Sequence, residues 1–134
     1  MENCIFCKII NNEIPSYKVY EDNKFLAFLD ISKATNGHTL LIPKKHYANV
    51  LECEDNLLGE MMILAKKIAA NLMDKLGAKG CNILTNCNEV AGQTCFHFHI
   101  HIIPRYNDLD GFEPSFKDNK NESLDFNKIL DIIK

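Results

Sequence analysis

The first half of the chain alternates short apolar runs with turn-forming residues, a pattern that is typical of antiparallel strands. Two β-rich runs, residues 17–21 and 25–30, are separated by the Asp22–Asn23 dipeptide, and this spacing predicts a hairpin. The run "GHTLLIP" predicts a third strand that starts after Gly37 and ends at Pro43, because proline has no N–H for the next ladder hydrogen bond. The chain therefore opens with three strands.

A helical pattern follows, and two further strands come after it. Between about residues 54 and 76, apolar residues recur at steps of three and four, and Gly77 stands where a C-terminal cap is expected. "GCNILTN", residues 80–86, predicts a fourth strand, and "CFHFHIHIIP", residues 95–104, predicts a fifth after the loop "CNEVAGQ". A short amphipathic helix is expected over residues 124–133.

The short spacing between the strands predicts a mostly antiparallel five-stranded sheet in an α+β fold, with one long helix and short terminal helices. We expect the helices to lie on one side of the sheet. A length of 134 residues suits one domain over residues 1–134, with a core over about 3–105 and a C-terminal tail over 106–134.

Composition excludes several classes of protein. The net charge of -3 and the pI near 5.9 give no basic patch for nucleic acid. No apolar run approaches the roughly 20 residues that span a bilayer, and the first residues lack the pattern of a signal peptide. We therefore expect a cytoplasmic protein without membrane partners, in which the six cysteines are reduced thiols.

The fifth predicted strand carries three of the five histidines, at every second position. Side chains alternate along a strand, so His97, His99 and His101 are expected on one wet face, opposite a dry face of Phe and Ile. The outer two would lie roughly 13 Å apart, too far for all three to bind one metal ion unaided. Such histidines can also simply face solvent or be satisfied within a core.

The motifs "CIFCKI", "GHTLLIPKKH", "AGQT" and "HFHIHII", in this order, closely resemble the histidine triad (HIT) family of nucleotide hydrolases and transferases. The resemblance covers roughly residues 3–105. It implies an antiparallel sheet, a homodimer, and a middle histidine, here His99, that attacks the α-phosphate of an adenine nucleotide.

This chemistry is sound in general terms. A neutral imidazole is a good nucleophile near pH 7, and the P–N bond that it forms is labile enough for water to break in a second step. His101 lies one step along the same face and could donate to the phosphate or protonate the leaving group. His38 resembles the additional site histidine of the family. Which ring nitrogen of His99 carries the proton is not determined by the sequence.

Nucleotide binding is expected beside these histidines. Phe28 and Asp30 share a strand face, where the carboxylate could accept both ribose hydroxyls. The resemblance assigns Asp30 and Ile31 to the ribose and base edge. It assigns Phe6, Phe28 and Leu40 to the base pocket. The phosphate side is assigned to Asn86, Gly92, Gln93 and Thr94. Alternatively, Phe28 and Leu40 are core residues and "AGQT" is only a turn. Asn88 replaces a more usual glycine of the family, and asparagine tolerates positive φ.

A second candidate site is metallic. Cys4 and Cys7 have the Cys-x-x-Cys spacing of zinc sites. The resemblance to HIT relatives that carry this pair implies that, in this chain, His46 and His97 complete a tetrahedral, structural zinc site with Cys4 and Cys7. The alternatives are ordinary buried thiols or a redox pair. Cys53, Cys81 and Cys87 are expected to be core or surface thiols.

The leaving group is open at this point. A nucleoside 5′-phosphoramidate hydrolase is favoured, because Thr94 and His101 could serve an amine leaving group. A dinucleoside polyphosphate hydrolase, a zinc-dependent hydrolase that uses a metal-bound water, and a noncatalytic nucleotide-binding scaffold are the alternatives.

Overall fold

A computed structural model describes residues 3–117 and 125–134 and contains three helices, five strands and two short 3₁₀ turns within these ranges. In chain order they are α1 (Ile5–Ile10), β1 (Lys18–Glu21), β2 (Phe25–Leu29), β3 (Thr39–Pro43), a turn at Val50–Glu52, α2 (Asp55–Leu76), β4 (Gly80–Leu84), a turn at Glu89–Ala91, β5 (Ile100–Arg105) and α3 (Phe126–Ile133). The α+β class and the elements predicted from the pattern are confirmed.

The five strands form one antiparallel sheet in the order β1-β2-β3-β5-β4. β5 lies between β3 and β4, so that His101 is opposite Leu40 on one side and Leu84 on the other. This order brings residues that follow β2, precede β3 and lie within β5 to one end of the sheet.

Helices cover both faces of the sheet, so the expectation that they lie on one side is wrong. The alternating side chains of β2 divide between two apolar clusters: Phe25 and Ala27 pack with α2, whereas Leu26 and Phe28 pack with Phe6 of α1. A helix of six residues has too few turns to show a helical period in the sequence, which is why its position could not be predicted.

The long helix α2 buries a stripe of residues at helical spacing and leaves its other side to solvent. Gly77 ends the helix in the left-handed conformation, with φ 69°, as its position predicts. The buried residues of α2 are Met61, Ala65, Ile68, Ala69 and Leu72. Each large side chain in such a stripe contributes about 1.5–3 kcal/mol relative to an exposed position.

The predicted fifth strand is shorter than expected, and the prediction of a wet histidine face is wrong. β5 begins at Ile100, because the ladder with β3 runs only to the pair Leu41–Ile100 and β4 ends at Leu84, opposite His101. The N–H of Phe98 donates instead to the carbonyl oxygen of Tyr47 at 2.7 Å. His97 is 0% exposed and His99 is 7% exposed, since α1 covers this face. Phe96, on the expected dry side, is 49% exposed.

Two further boundaries differ slightly from the prediction. β4 ends at Leu84 and does not reach residue 86, and α3 begins at Phe126. The predicted start of the last helix, residue 124, lies outside the described residues. Within the described ranges, no helix is long and apolar enough to cross a membrane.

Candidate active site and metal centre

Four sulfur and nitrogen donors from three distant segments meet at the start of α1. The Sγ atom of Cys4 lies 3.3 Å from Nδ1 of His97, and the Sγ atom of Cys7 lies 3.5 Å from the Nδ1 atoms of both His46 and His97. The two Nδ1 atoms are 3.1 Å apart, and all four donors lie within 4.8 Å of one another. Tetrahedral zinc with ordinary Zn–S and Zn–N bonds places its ligands about 3.3–3.8 Å apart, so these residues fit such an ion.

The protonation of His97 suits a metal ligand. Its Nε2 lies 2.8 Å from the carbonyl oxygen of Pro43, which only accepts, so Nε2 carries the proton and donates it. Nδ1 therefore presents its lone pair to the cysteines. Burial lowers the pKa of His97 to about 4, which keeps the ring neutral at pH 7.

The thiol of Cys7 needs a nearby cation to ionise. Burial, followed by the hydrogen bond with Cys4, raises the pKa of Cys7 to about 11. A bound divalent cation deprotonates such a thiol outright, because its positive charge stabilises the thiolate that burial disfavours. The N–H of Cys7 also donates to the sulfur of Cys4, which caps α1. The donor set is thus suited to Zn²⁺, and it joins α1 to the segment before β5.

His99 is held with one ring nitrogen free of backbone partners. Its Nδ1 lies 2.8 Å from the carbonyl oxygen of His97, so Nδ1 is the protonated, donating nitrogen and Nε2 keeps its lone pair. The hydroxyl of Thr85 donates to the carbonyl oxygen of His99 at 2.6 Å, and the ring of Phe6 packs edge-on at 5.1 Å. Burial lowers the pKa of His99 below its ordinary value, which favours the neutral ring.

His38 and His101 form a hydrogen-bonded pair whose proton positions follow from one backbone group. The N–H of Ala34 donates to Nδ1 of His38 at 3.0 Å, so His38 carries its proton on Nε2. That nitrogen lies 3.0 Å from Nδ1 of His101, which must accept, and His101 therefore carries its own proton on Nε2. The rings of His99 and His101 are 5.0 Å apart. A ring nitrogen with a free lone pair and an N–H donor thus belong to adjacent rings.

Asp30, His38 and His101 also bring donor atoms within 4.8 Å of one another, but their hydrogen bonds oppose a metal ion. A neutral histidine that binds a metal through Nε2 carries its proton on Nδ1. On His38 that proton would point at the N–H of Ala34, two donors face to face. Asp30 lies 3.7 Å from Nε2 of His38, and its charge partly opposes the lowering of the His38 pKa by burial.

A cleft of about 230 Å³ opens beside His38 and Asp30. One carboxylate oxygen of Asp30 accepts the N–H of Ser32, whereas Ile31 is 83% exposed at the rim. The cleft is lined by Tyr17, Leu29, Asp30, Ile31, Lys33, Gly37 and His38. The sequence does not single out Tyr17, Leu29 or Lys33, because exposed residues at the ends of strands give no periodic signal.

The three residues expected in a base pocket are packed in the core on the α1 side of the sheet. Phe6, Phe28 and Leu40 are all buried, and the first two rings meet edge-on with centroids 5.5 Å apart. They do not line the cleft; Phe6 packs against the rings of His97 and His99, and Leu40 lies opposite His101 in the sheet.

The loop before His97 has a buried residue, Gln93, whose hydrogen bonds hold its shape, and an exposed edge. Gln93 is 1% exposed, and its amide accepts the N–H of Asn88 and donates to the carbonyl oxygens of Ala48 and Cys95. Gly92 and Thr94 are exposed, and a side-chain carbon added at Gly92 would lie 3.5 Å from Nδ2 of Asn86. Asn88 has φ 75°, the positive value that asparagine tolerates.

Several functional groups of the site could not be found from the sequence. The carbonyl oxygens of Pro43 and His97 and the N–H of Ala34 fix the ring protons, but main-chain atoms give no residue-type signal. Thr85 follows a strand like many threonines, so its role depends on the register of β4 and β5.

Comparison with known proteins agrees with this architecture. Residues 11–108 match the family model described as HIT domain. Protein hit of Bacillus subtilis is 54% identical over 87% of this chain and 80% of its own length. A HIT family protein from Bacillus anthracis has a crystal structure that superposes with a TM-score of 0.89, at 43% identity over 98% of this chain and 93% of that one.

A plant relative carries a named activity. The Arabidopsis thaliana protein called adenylylsulfatase HINT3 is 41% identical over 77% of this chain and 52% of its own length. The extent of the family match and the identity to Protein hit decide the assignment, and the chain belongs to the HIT domain family.

Proposed function

We propose that this protein is a nucleotide hydrolase or transferase that acts on the α-phosphate of adenine nucleotides through a covalent intermediate on His99. The observation that supports this most strongly is the hydrogen bond from Nδ1 of His99 to the carbonyl oxygen of His97, which leaves Nε2 as a free nucleophile. The name of the plant relative, an adenylylsulfatase, is consistent with attack on an adenylyl group.

The reaction would proceed by two displacements. In the first, Nε2 of His99 forms a P–N bond while the bond from phosphorus to the leaving group breaks; the N–H of His101 donates a hydrogen bond to the leaving group, which takes a proton from solvent as it departs. In the second, water forms a P–O bond, the P–N bond breaks, and the proton lost by that water is released to solvent. His38 keeps His101 in the tautomer that donates.

The nucleotide would bind in the cleft beside Asp30. The carboxylate would accept the ribose hydroxyls, and Ile31 would lie against the base, with Phe6, Phe28 and Leu40 supporting that wall from the core. The phosphates would lie towards the exposed edge of the loop, near Asn86, Gly92 and Thr94, where backbone and hydroxyl donors can stabilise charge on phosphate oxygens. Gln93 would act by holding the shape of this loop.

The substrate class favoured within this function is the adenosine 5′-phosphoramidates. An amine leaving group needs a proton in the first displacement, and the N–H of His101 and the hydroxyl of Thr94 are the donors available. A phosphate leaving group needs less help, so diadenosine polyphosphates are the second class to test.

Cys4, Cys7, His46 and His97 would hold a structural Zn²⁺ ion. Two thiolates and two imidazoles complete a tetrahedral shell, which leaves no position for a catalytic water. Zinc would supply stability here, whereas His99 belongs to neither cluster of possible metal ligands in the described residues. A zinc-dependent hydrolase is therefore disfavoured.

A homodimer is the assembly that we propose. β4 is an edge strand, and beside it an apolar groove of about 150 Å³ lies between β4 and α2. An edge strand can pair with its own copy about a twofold axis, which satisfies its free backbone groups.

The test of the function is to trap the intermediate and to assay several substrates. Purified protein is incubated with adenosine 5′-phosphoramidate, diadenosine polyphosphates and sugar nucleotides, and acid-labile, base-stable label on protein is measured after rapid quenching. His99→Asn should bind AMP but turn over at less than about a tenth of the parental rate, on the scale where tenfold is about 1.4 kcal/mol of barrier.

The control is Asn49→Ala, at a surface turn, which should keep full turnover. His46 is not used for this purpose, because it belongs to the cluster of possible metal ligands. A His99→Asn protein that keeps its turnover would refute the nucleophile. A parent that binds AMP but never becomes labelled would support a noncatalytic scaffold.

A further inference from the structure

The residues after β5 form a loop that is closed by its own aspartate. One carboxylate oxygen of Asp110 accepts Nε–H of Arg105 at 2.6 Å, and the other accepts the N–H groups of Tyr106 and Asn107 at 2.8 and 3.4 Å. Arg105 also donates to the side-chain oxygen of Asn82 on β4 at 2.8 Å. Residues 105–111, here named the tail loop, therefore have a fixed shape and a fixed attachment to the sheet.

The tail loop packs against the loop that precedes His38. The hydroxyl of Tyr106 donates to the carbonyl oxygen of Asn36 at 2.5 Å, and just before the tail loop the carbonyl oxygen of Pro104 accepts the buried hydroxyl of Thr35 at 2.7 Å. At Gly111 the two backbones approach so closely that an added side-chain carbon would overlap the carbonyl oxygen of Ala34. Three successive residues, 34–36, are thus held from one side.

The held segment includes the group that fixes the proton of His38. Ala34 donates its N–H to Nδ1 of His38, and the carbonyl oxygen of Thr35 accepts the N–H of His38 at 3.2 Å. If Ala34 moved away, Nδ1 would lose the donor that keeps it unprotonated, and only the more distant carboxylate of Asp30, 3.7 Å from Nε2, would still favour the proton there. His38 would then donate to His101 only part of the time.

We propose that the tail loop is a positioning element of the active site, which acts through Ala34 to keep His38 and His101 in the tautomers in which Nε2–H of His101 can donate a hydrogen bond to the leaving group. Its residues need not touch the substrate, and Gly111 is required because of the close approach to Ala34. This inference rests on the proposed function for its effect on turnover, but its effect on the histidine rings can be measured without any substrate.

The test compares Gly111→Ala with Gly59→Ala. Both changes add one methyl group, but Gly59 lies on α2 with open space around it, whereas Gly111 abuts the backbone of Ala34. Imidazole ¹⁵N shifts at about pH 8 distinguish the two neutral tautomers, and five histidines can be assigned by single substitutions. The parent and Gly59→Ala should show His38 protonated on Nε2 alone, and Gly111→Ala should show a mixture.

Turnover supplies the second measurement. Gly111→Ala should lower kcat about tenfold with KM changed less than about twofold, because the hydrogen bond from His101 to the leaving group is impaired while binding is not. Tyr106→Phe, which removes only one hydroxyl, should shift the ring populations in the same direction by less. Tyr20→Phe is its control, since the Tyr20 hydroxyl also makes a single surface hydrogen bond, to Asp22.

Unchanged His38 and His101 shifts in Gly111→Ala would overturn the inference, whatever the activity. Shifted rings together with a parent that turns over none of the nucleotides would overturn the proposed function and leave the positioning intact. Shifted rings with unchanged kcat would show that His38 does not govern the reaction, and would overturn the catalytic part of the inference.

Discussion

Every histidine of the triad has its proton placed by one specific contact. His97 donates to the carbonyl oxygen of Pro43, His99 donates to the carbonyl oxygen of His97, and His101 accepts from His38. In the proposed function, the same residue type would therefore present a lone pair to a metal ion, a lone pair to a substrate, and an N–H to a leaving group. Burial helps to keep each ring in its tautomer, because it disfavours the doubly protonated form, in which both ring nitrogens carry a proton.

Burial of His101 predicts how stability depends on pH. Burial, and then the proximity of His99 and His38, lowers the pKa of His101 to about 4, against the opposing charge of Asp30. Between about pH 6.5 and about pH 4 the unfolded chain takes up a proton that the folded chain does not. The contribution of His101 to the free energy of unfolding should therefore be fully present above about pH 6.5. It should fall as the pH is lowered, by up to about 1.4 kcal/mol per pH unit.

Urea unfolding of the parent and of His101→Gln, measured from about pH 5.5 to about pH 7.5 in one zinc-containing buffer, checks this expectation. The variant should lose less stability on acidification than the parent, because its side chain does not titrate. His97, also with a pKa lowered to about 4 by burial, titrates in both proteins and cancels in the comparison. Parallel pH dependences for the two proteins would contradict the prediction.

At the scale of elements, the periodic parts were predictable from the sequence and the short parts were not. β1, β2 and β3 follow from β-rich runs between turn residues, although β1 is exposed throughout, and α2 follows from the helical spacing of its buried stripe. The resemblance placed the four metal-site residues and the active-site histidines together, and the structure brings both sets into contact. The start of β5 was not predictable, since it depends on how far its pairing with β3 and β4 extends.

The helix α1 illustrates what the sequence pattern lacks. It has six residues, and only Phe6 and Ile9 are buried, so its own burial is small. Its attachment to the sheet includes the two cysteines that meet His46 and His97. A metal ion there would link α1 to the loop after β3 and to the segment before β5, which are the elements that carry the site.

This arrangement predicts the effect of removing the cysteines. Cys4→Ser with Cys7→Ser should abolish stoichiometric zinc and lower the melting temperature by roughly 10 °C, because the free energy of metal binding adds to that of folding. Turnover should persist, somewhat slowed, at temperatures where the variant is folded, since His99 and His101 are not metal ligands in this proposal. Element analysis and thermal unfolding measure the two effects.

The pair Cys81→Ser and Cys87→Ser, which lies outside the cluster, is the control and should keep its zinc. A parent protein purified without chelators that contains no zinc would refute the structural site. Activity that disappears with the metal in the folded parent, and returns when zinc is added, would instead favour the metallohydrolase.

At the scale of the whole molecule, the two edges of the sheet differ. The β1 edge is polar at its ends and carries ion pairs of Lys18 and Lys44 with Glu21. Beside the β4 edge, Ile83 and Met62 are exposed on neighbouring elements and line the apolar groove. Charged edges resist pairing with another chain, whereas an uncharged edge next to an apolar groove favours it.

This asymmetry predicts which substitutions will disrupt a homodimer. The double substitution Ile83→Lys with Met62→Lys should convert the dimer into a monomer of 15.3 kDa. The reason is that two like charges from each copy would meet across the twofold axis. Light scattering coupled to size exclusion measures the mass. Val19→Lys on β1, where the parental side chain is also about one-third exposed, is the matched control and should leave the dimer intact. A parent of monomer mass would refute the assembly, and dissociation by Val19→Lys alone would place the interface on the β1 edge.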